Sequence, residues 1–269
     1  MVEEPQALRW SLRAVAVGYI VMLVAWPVWL VAQNTFADGT GAITQALGDP
    51  VVVHALKMTL IVALSAVIIN LVFGVGISLL LVRQEFVGKR LLSVLIDVPL
   101  SVSPIVVGLA LLLVYNSRDG WFGPTLDAAG FQVIFATPGM VMATVFVALP
   151  LVIREVVPVL QEIGDDQEQA ARSLGANAVQ TFRRITLPAI KWAVVYGVVL
   201  SLARSLGEFG AVKIVSGNIV MSTQTATLVV EQKYQNFEQT TAYSVAFMLA
   251  FASVLCLIVV SLLRPKETS

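Results

Sequence analysis

The chain has 269 residues, 58% of them hydrophobic and only 13% charged, and its 17 basic side chains balance its 17 acidic ones. A soluble domain of this length carries about a quarter charged residues, so the composition excludes an ordinary water-soluble globule. A formal net charge of zero gives no electrostatic footprint for nucleic acid.

Apolar runs long enough to cross a bilayer, about 20 residues each, recur at 13–33, 57–82, 91–115, 138–160, 191–212 and 243–263. Each is expected to be helical, because lipid offers no partner to free backbone groups. The first run is longer than the apolar region of a signal peptide, and no small-x-small cleavage site follows it. It reads as the first of six spans. In the second, Gly74 and Gly76 read as helix-packing contacts.

The third span reads LLSVLIDVPLSVSPIVVGLALLLVY. Pro99 and Pro104 remove backbone donors, which predicts a kinked or unwound helix. Ser101 and Ser103 stand where they can satisfy the freed carbonyls. Asp97 lies about two turns from one end. A broken helix at membrane depth is tolerated against protein or a water-filled cavity. The break therefore reads either as a gate or pore wall, or as a kink that shapes packing. Arg154 and Glu155 read as the interfacial end of the fourth span.

Between the fourth and fifth spans lies a polar segment, EQAARSLGANAVQTFRRITLP, residues 168–188. Asp165 is placed to cap a helix, with Glu168 as its reciprocal capping-box partner. Ala170, Ala171 and Leu174 fall on one face. Gly175 can end that helix in a left-handed conformation. Asn177 can start a second helix with Val179, Phe182 and Ile185 on one side, and Pro188 is expected to stop it. Two short helices at an angle, with Arg172, Arg183 and Arg184 on other faces, suit docking into a groove on a soluble partner.

The fifth span, WAVVYGVVLSLARSLGEFGAV, carries Arg204 and Glu208 one helical turn apart. With about 1.5 Å of rise per residue, Arg204 lies roughly 20 Å from Lys191. Ionisable groups inside a span are costly. The pair either lines an anion pathway or forms an internal ion pair that locks helix packing. Gly207 and Gly210 leave room for a close neighbouring helix.

Basic residues set the orientation. Arg9, Arg13, Arg83, Lys89, Arg90, Arg172, Arg183, Arg184, Lys191, Arg264 and Lys266 fall on one side of a six-span chain; Lys57, Arg118, Lys213 and Lys233 fall on the other. Both termini and the 168–188 segment are therefore expected in the cytoplasm. Trp10, Trp26, Trp29, Trp121 and Trp192 stand mostly near span ends, as interfacial anchors do. Cys256 reads as inert packing and His54 as structural. No metal-ligand spacing, nucleophile–base set or phosphate-binding loop is present, and Gly88-Lys89-Arg90 lacks the phosphate-loop pattern. No catalytic residue, metal or cofactor is expected in this chain. Any ATP-driven step needs another subunit.

The 168–188 segment resembles the EAA loop of ABC-transporter permeases: E-A-A, three residues, G, nine residues, I-x-L-P. Ala170 and Ala171 hold the Ala-Ala places, Gly175 follows after three residues, and Ile185, Leu187 and Pro188 after nine more. The Glu place directly before the alanines holds Gln169, with Glu168 one residue earlier. The segments DVPLSVSPIVVGLAL, LPLVIREVVPVL, ARSLGEFGAV and IVSGN are similar to sulfate/molybdate-type ABC permeases. The nearest pattern is the CysW-type subunit of sulfate/thiosulfate importers, and the likeness runs from the second span to the sixth.

The resemblance implies an all-α integral membrane protein with six transmembrane helices and cytoplasmic coupling helices, the type I ABC importer permease fold. It implies one permease domain over 1–269, with core spans about 57–263 and a coupling loop at 161–190, in a bacterial inner membrane. It implies a coupling role for Glu168, Gln169, Ala170, Ala171, Gly175, Ile185, Leu187 and Pro188. Translocation-pathway candidates are Arg204, Glu208, Asp97, Ser101 and Ser103. Implied partners are ATPase subunits that bind ATP and Mg, a second related permease, an extracytoplasmic sulfate-binding protein and the lipid bilayer. Sulfate, thiosulfate and molybdate all remain open as substrates. The rival classes are a stand-alone secondary anion transporter and a structural scaffold. The former calls for inverted repeats with matched broken helices, and one proline-broken span is evident.

Overall fold

The computed structural model describes residues 6–263 except 38 and 40, and every regular element among them is a helix. Arg264 and Lys266, counted above for orientation, lie outside the described residues. In chain order, α1 runs from Gln6 to Phe36 through a π-turn at Val21–Ala25. Then come α2 (Gly41–Gly48), α3 (Pro50–Arg83), α4 (Lys89–Ser101), α5 (Pro104–Tyr115), α6 (Gly123–Ala128) and α7 (Thr137–Ile163). The last five are α8 (Asp166–Ser173), α9 (Ala178–Leu206), α10 (Gly210–Ser216), α11 (Ala226–Gln235) and α12 (Gln239–Leu263).

Five helices are long and apolar enough to cross a membrane: α1, α3, α7, α9 and α12. The expected third span is instead the pair α4 and α5, bent by 113°. The break falls at Val102 and Ser103, both extended, because the residue before Pro104 is pushed out of helical geometry. Pro99 stays inside α4 without ending it. The two halves still connect opposite ends of the bundle. Ile96 of α4 packs with Leu81, near the end of α3, and with Ile153 in the second half of α7. Leu111 and Tyr115 of α5 pack on Val62 and Met140, near their starts. The pair is therefore one broken crossing, and six crossings result.

The core is α3, α7 and α9. Val62 meets Met140, Ala143 and Val147, and Val75 meets Val152, Val156 and Leu160, so α3 and α7 run in parallel. Ile190 and Ala193 join the second cluster while Asn70 bonds Ser201 at 3.2 Å, so α9 runs opposite to both. Apolar side chains gain little by leaving lipid, so close approach here depends on shape and small residues. Val152 shows how. A Cβ on Gly74 of α3 would lie 2.8 Å from its Cγ1, and one on Gly197 of α9 would lie 2.8 Å from its Cα. Gly76, expected to pack in the same way, has nothing within 4 Å.

Two further expectations are corrected. α3 starts at Pro50, ahead of the apolar run at 57–82, capped by Asp49 through the Val51 N–H, so His54 is part of the helix. α7 continues to Ile163, so Arg154 and Glu155 lie within the helix rather than at its end.

Candidate functional site

The segment 166–188 forms the expected helix–glycine–helix shape, reached by different local chemistry. α8 ends at Ser173, and Gly175 has φ +87 with open space where a Cβ would stand. Asn177 opens the second helix with a complete capping box: its Oδ1 accepts from Gln180 N at 2.9 Å, and Asn177 N donates to Gln180 Oε1 at 3.0 Å. Asp165 does not cap α8; its carboxylate instead accepts from the Gln169 side chain at 2.7 Å. Glu168 is not a capping-box partner either. It turns inward and is the buried residue of α8, its carboxylate held by Arg83 and by the Thr186 hydroxyl. A nearby guanidinium in a partly dry site outweighs a backbone amide as a carboxylate partner.

The register after Asn177 also differs. Phe182–Thr186 is a π-turn, and Leu187 N donates to Phe182 O. The widened turn accommodates Pro188, which therefore does not stop the helix: Ala178–Leu206 is continuous from the polar 166–188 segment into the long apolar span. The same turn parts residues expected on one face. Phe182 packs on the α3–α7–α9 cluster, while Val179 is exposed. Leu174 is 90% exposed, and Arg172, Arg183, Arg184, Gln169 and Ala170 face outward with it. Ile185 is half-buried, and Leu187 and Pro188 are exposed. The outward surface is thus apolar tips among basic side chains, at one end of the bundle.

The second region is where two helix breaks meet. The expected fifth span is not one helix. It ends at Leu206, and Glu208 lies in the break before α10. Glu208 is 4% exposed, and its Oε1 accepts from Ala211 N at 3.0 Å, capping α10. Arg204 Nη1 lies 2.8 Å from Glu208 Oε2. Thr227 of α11 donates to the Glu208 carbonyl at 2.9 Å. Gly207 terminates the helix, and a Cβ there would meet only carbonyls of its own helix within 4 Å, whereas one on Gly210 would lie 3.0 Å from Pro104 Cβ. The α4/α5 break and the α9/α10 break therefore abut. The sequence pointed to one broken span; the second lacks a proline and is visible only as Leu-Gly-Glu-Phe-Gly.

Pathway candidates are partly brought together. Ser103 lies at the junction of the breaks and Ser101 two residues before it; both are exposed, and Ser103 makes no capping bond. The expectation that these hydroxyls satisfy freed carbonyls is not met. Asp97 is set apart. It pairs with Arg154 of α7, whose Nε and Nη2 reach Asp97 Oδ1 at 3.2 and 2.9 Å. Arg154 was read as interfacial, and the residue that makes it notable is on another helix.

At the opposite end of the bundle from α8, Lys233 bridges Asp49 at 3.0 Å and Glu238 at 2.7 Å. The Lys233 ammonium holds the Asp49 carboxyl below the usual carboxylate range. Glu238 first, then Asp49, push Lys233 up. Lys213 pairs with Glu231 nearby.

The described residues thus form a helical membrane bundle with two broken crossings and an exposed two-helix segment at one end. Residues 71–266 match the family described as binding-protein-dependent transport system inner membrane component. The chain is 43% identical to the sulfate transport system permease protein CysW of Synechococcus elongatus, over 98% of this chain and 92% of that protein. It is 40% identical to the protein of the same description in Escherichia coli K12, over 95% and 88%. The fold matches the crystal structure of a bacterial ABC transporter that imports alginate, with TM-score 0.79 at 13% identity, covering 97% of this chain and 96% of that one. The chain belongs to the family of inner-membrane permease components of binding-protein-dependent transport systems, with the all-α type I ABC importer permease fold, and is a multi-pass membrane protein.

Proposed function

We propose that this chain is the membrane-spanning subunit of an ATP-driven importer for sulfate or thiosulfate, forming half of the translocation pathway. The observation that carries the reading is the 166–188 segment. It is an exposed helix–glycine–helix unit whose second helix is continuous with a core membrane span. Similarity to sulfate permeases over nearly the whole chain supports the substrate class.

ATP and Mg belong to separate ATPase subunits, which dock on Leu174, Val179 and the surrounding basic side chains. Gln169, Ala170, Ala171 and Gly175 form the docking surface. Ile185, Leu187 and Pro188 carry its motion into α9. A second, related permease completes the pathway, and an extracytoplasmic binding protein delivers the anion. The docking segment and both termini face the cytoplasm of a bacterial inner membrane. Closure of the ATPases on ATP tilts α9 and opens the bundle outward; hydrolysis returns it. Arg204 supplies positive charge to a dianion where two broken helices meet, with Glu208 as its resting counter-ion.

The test is the purified complex in proteoliposomes with its binding protein. Sulfate or thiosulfate should stimulate ATP hydrolysis and molybdate should not. Stimulation by molybdate alone would move the chain to the molybdate permeases. Uptake without any ATPase subunit would favour a secondary transporter.

A further inference from the structure

We infer that Arg83 is a positioning residue of the coupling apparatus, keying the first coupling helix to the ends of three membrane helices at once. This rests on the reading that residues 166–188 receive an ATPase subunit.

α8 has no apolar anchor. The one buried residue it has is the charged Glu168, and Leu174 just beyond its end projects into solvent. Its main packing neighbours are the helical turns that follow it. A cleft of about 340 Å³, lined by Gly76, Leu80, Arg83, Glu168, Phe182 and Thr186, separates it from α3. What bridges the cleft is polar. Arg83, the last residue of α3, donates from Nε to Glu168 Oε2 at 3.1 Å and from Nη2 to Glu168 Oε1 at 3.2 Å. Its Nη1 reaches the Leu160 carbonyl of α7 at 3.0 Å, and its Nη2 reaches the Gly164 carbonyl at 2.6 Å. The Thr186 hydroxyl, at the root of α9, donates to Glu168 Oε1 at 2.9 Å.

One guanidinium and one carboxylate thus tie α8 to α3, α7 and α9. Apolar contacts can slide, whereas a two-point guanidinium–carboxylate pair fixes both distance and direction. Displacement of α8 must then pull the ends of all three core helices together. Lysine cannot replace this. A point charge with three donors does not match the planar fork that reaches two carboxylate oxygens and two carbonyls.

The experiment uses the whole complex in proteoliposomes and reads three quantities: assembly with ATPase subunits, ATP hydrolysis with and without sulfate-loaded binding protein, and labelled sulfate taken up per ATP. Arg83→Lys keeps the charge. It should assemble, yet lose about fivefold or more of its stimulated-to-basal ratio and uptake per ATP, the scale of a coupling free energy between sites. An unchanged ratio overturns the inference. If Arg83→Lys does not assemble, Thr186→Val decides, because it removes one hydrogen bond and keeps the shape: a partial loss of uptake per ATP supports the inference and no loss overturns it. Gly175→Val separates this from the underlying reading. That substitution puts a β-branched residue at φ +87. Full activity in Gly175→Val would reject the docking reading itself, whereas loss there with normal Arg83→Lys rejects only the role of Arg83.

Discussion

Asp97 on α4 and Arg154 on α7 are 2.9 Å apart, and their side chains are 54% and 58% exposed. Both lie on membrane-crossing elements, and an exposed charge in a span does not face lipid. The face that carries the pair is left largely uncovered by the rest of this chain. It is continuous with the exposed side of α4 that carries Ser101 and leads to the break at Ser103. A water-exposed ion pair contributes about 1 kcal/mol or less. Arg154→Met should therefore assemble at near wild-type yield, measured as complex recovered after purification. Collapse of that yield would mean that the pair sits in a dry interface.

Arg204 and Glu208 respond differently because Glu208 is buried and also caps α10. Arg204→Met leaves a buried carboxylate without its partner. That costs up to about 3–5 kcal/mol for a fully buried pair, and less here because the Arg204 side chain is 38% exposed. Arg204→Met with Glu208→Gln removes the unpaired charge and keeps an acceptor for the Ala211 N–H. The double variant should insert and assemble but take up labelled sulfate poorly, because a dianion in a low-dielectric passage needs a compensating positive charge. Near-normal uptake in the double variant, with each single variant failing, would leave Arg204 a packing element.

Orientation is tested by labelling single cysteines in a Cys256→Ser background. Gly41 starts α2 with open space at its Cβ position, and Ser173 is an exposed residue at the end of α8. Gly41→Cys should react with a membrane-impermeant thiol reagent in intact cells. Ser173→Cys should react only after the cytoplasmic face is opened. Labelling from the same side would contradict six crossings.

The Asp49–Lys233–Glu238 cluster should act as a pH-bounded clasp joining α3 to the α11–α12 turn. Asp49 has its pKa lowered, so its contribution is full above the ordinary carboxylate value and lost as pH falls through the depressed one. Lys233 has its pKa raised, so its contribution is full below the ordinary lysine value and lost as pH rises through the raised one. The clasp is intact between these limits. Lys233→Met should lower the melting temperature of the detergent-purified protein modestly at neutral pH. As pH falls through the depressed Asp49 pKa, the gap between wild type and variant should narrow. A gap that persists in acid would assign the effect to lost packing rather than to charge.

The amino-acid sequence by itself determined the class, the crossings and the helix–glycine–helix shape of the 166–188 segment. Long apolar runs have one stable solution in lipid, and Gly175, Asn177 and the spacing from Ala170 to Pro188 are local signals that need no partner to be read. It located the break at Pro104 because proline acts on its own neighbours. What it did not contain was which distant groups meet. Asp165 and Glu168 have capping-box spacing, yet Arg83, 85 residues from Glu168, takes the carboxylate. Nothing local to Arg154 announces its partner Asp97, 57 residues away. The helix ending at Leu206 has no proline to announce it; a buried Glu208 that caps α10 and pairs with Arg204 stabilises the break. Hydrophobic period and turn chemistry are properties of a few consecutive residues, whereas the partner of a buried charge is chosen by how the helices pack.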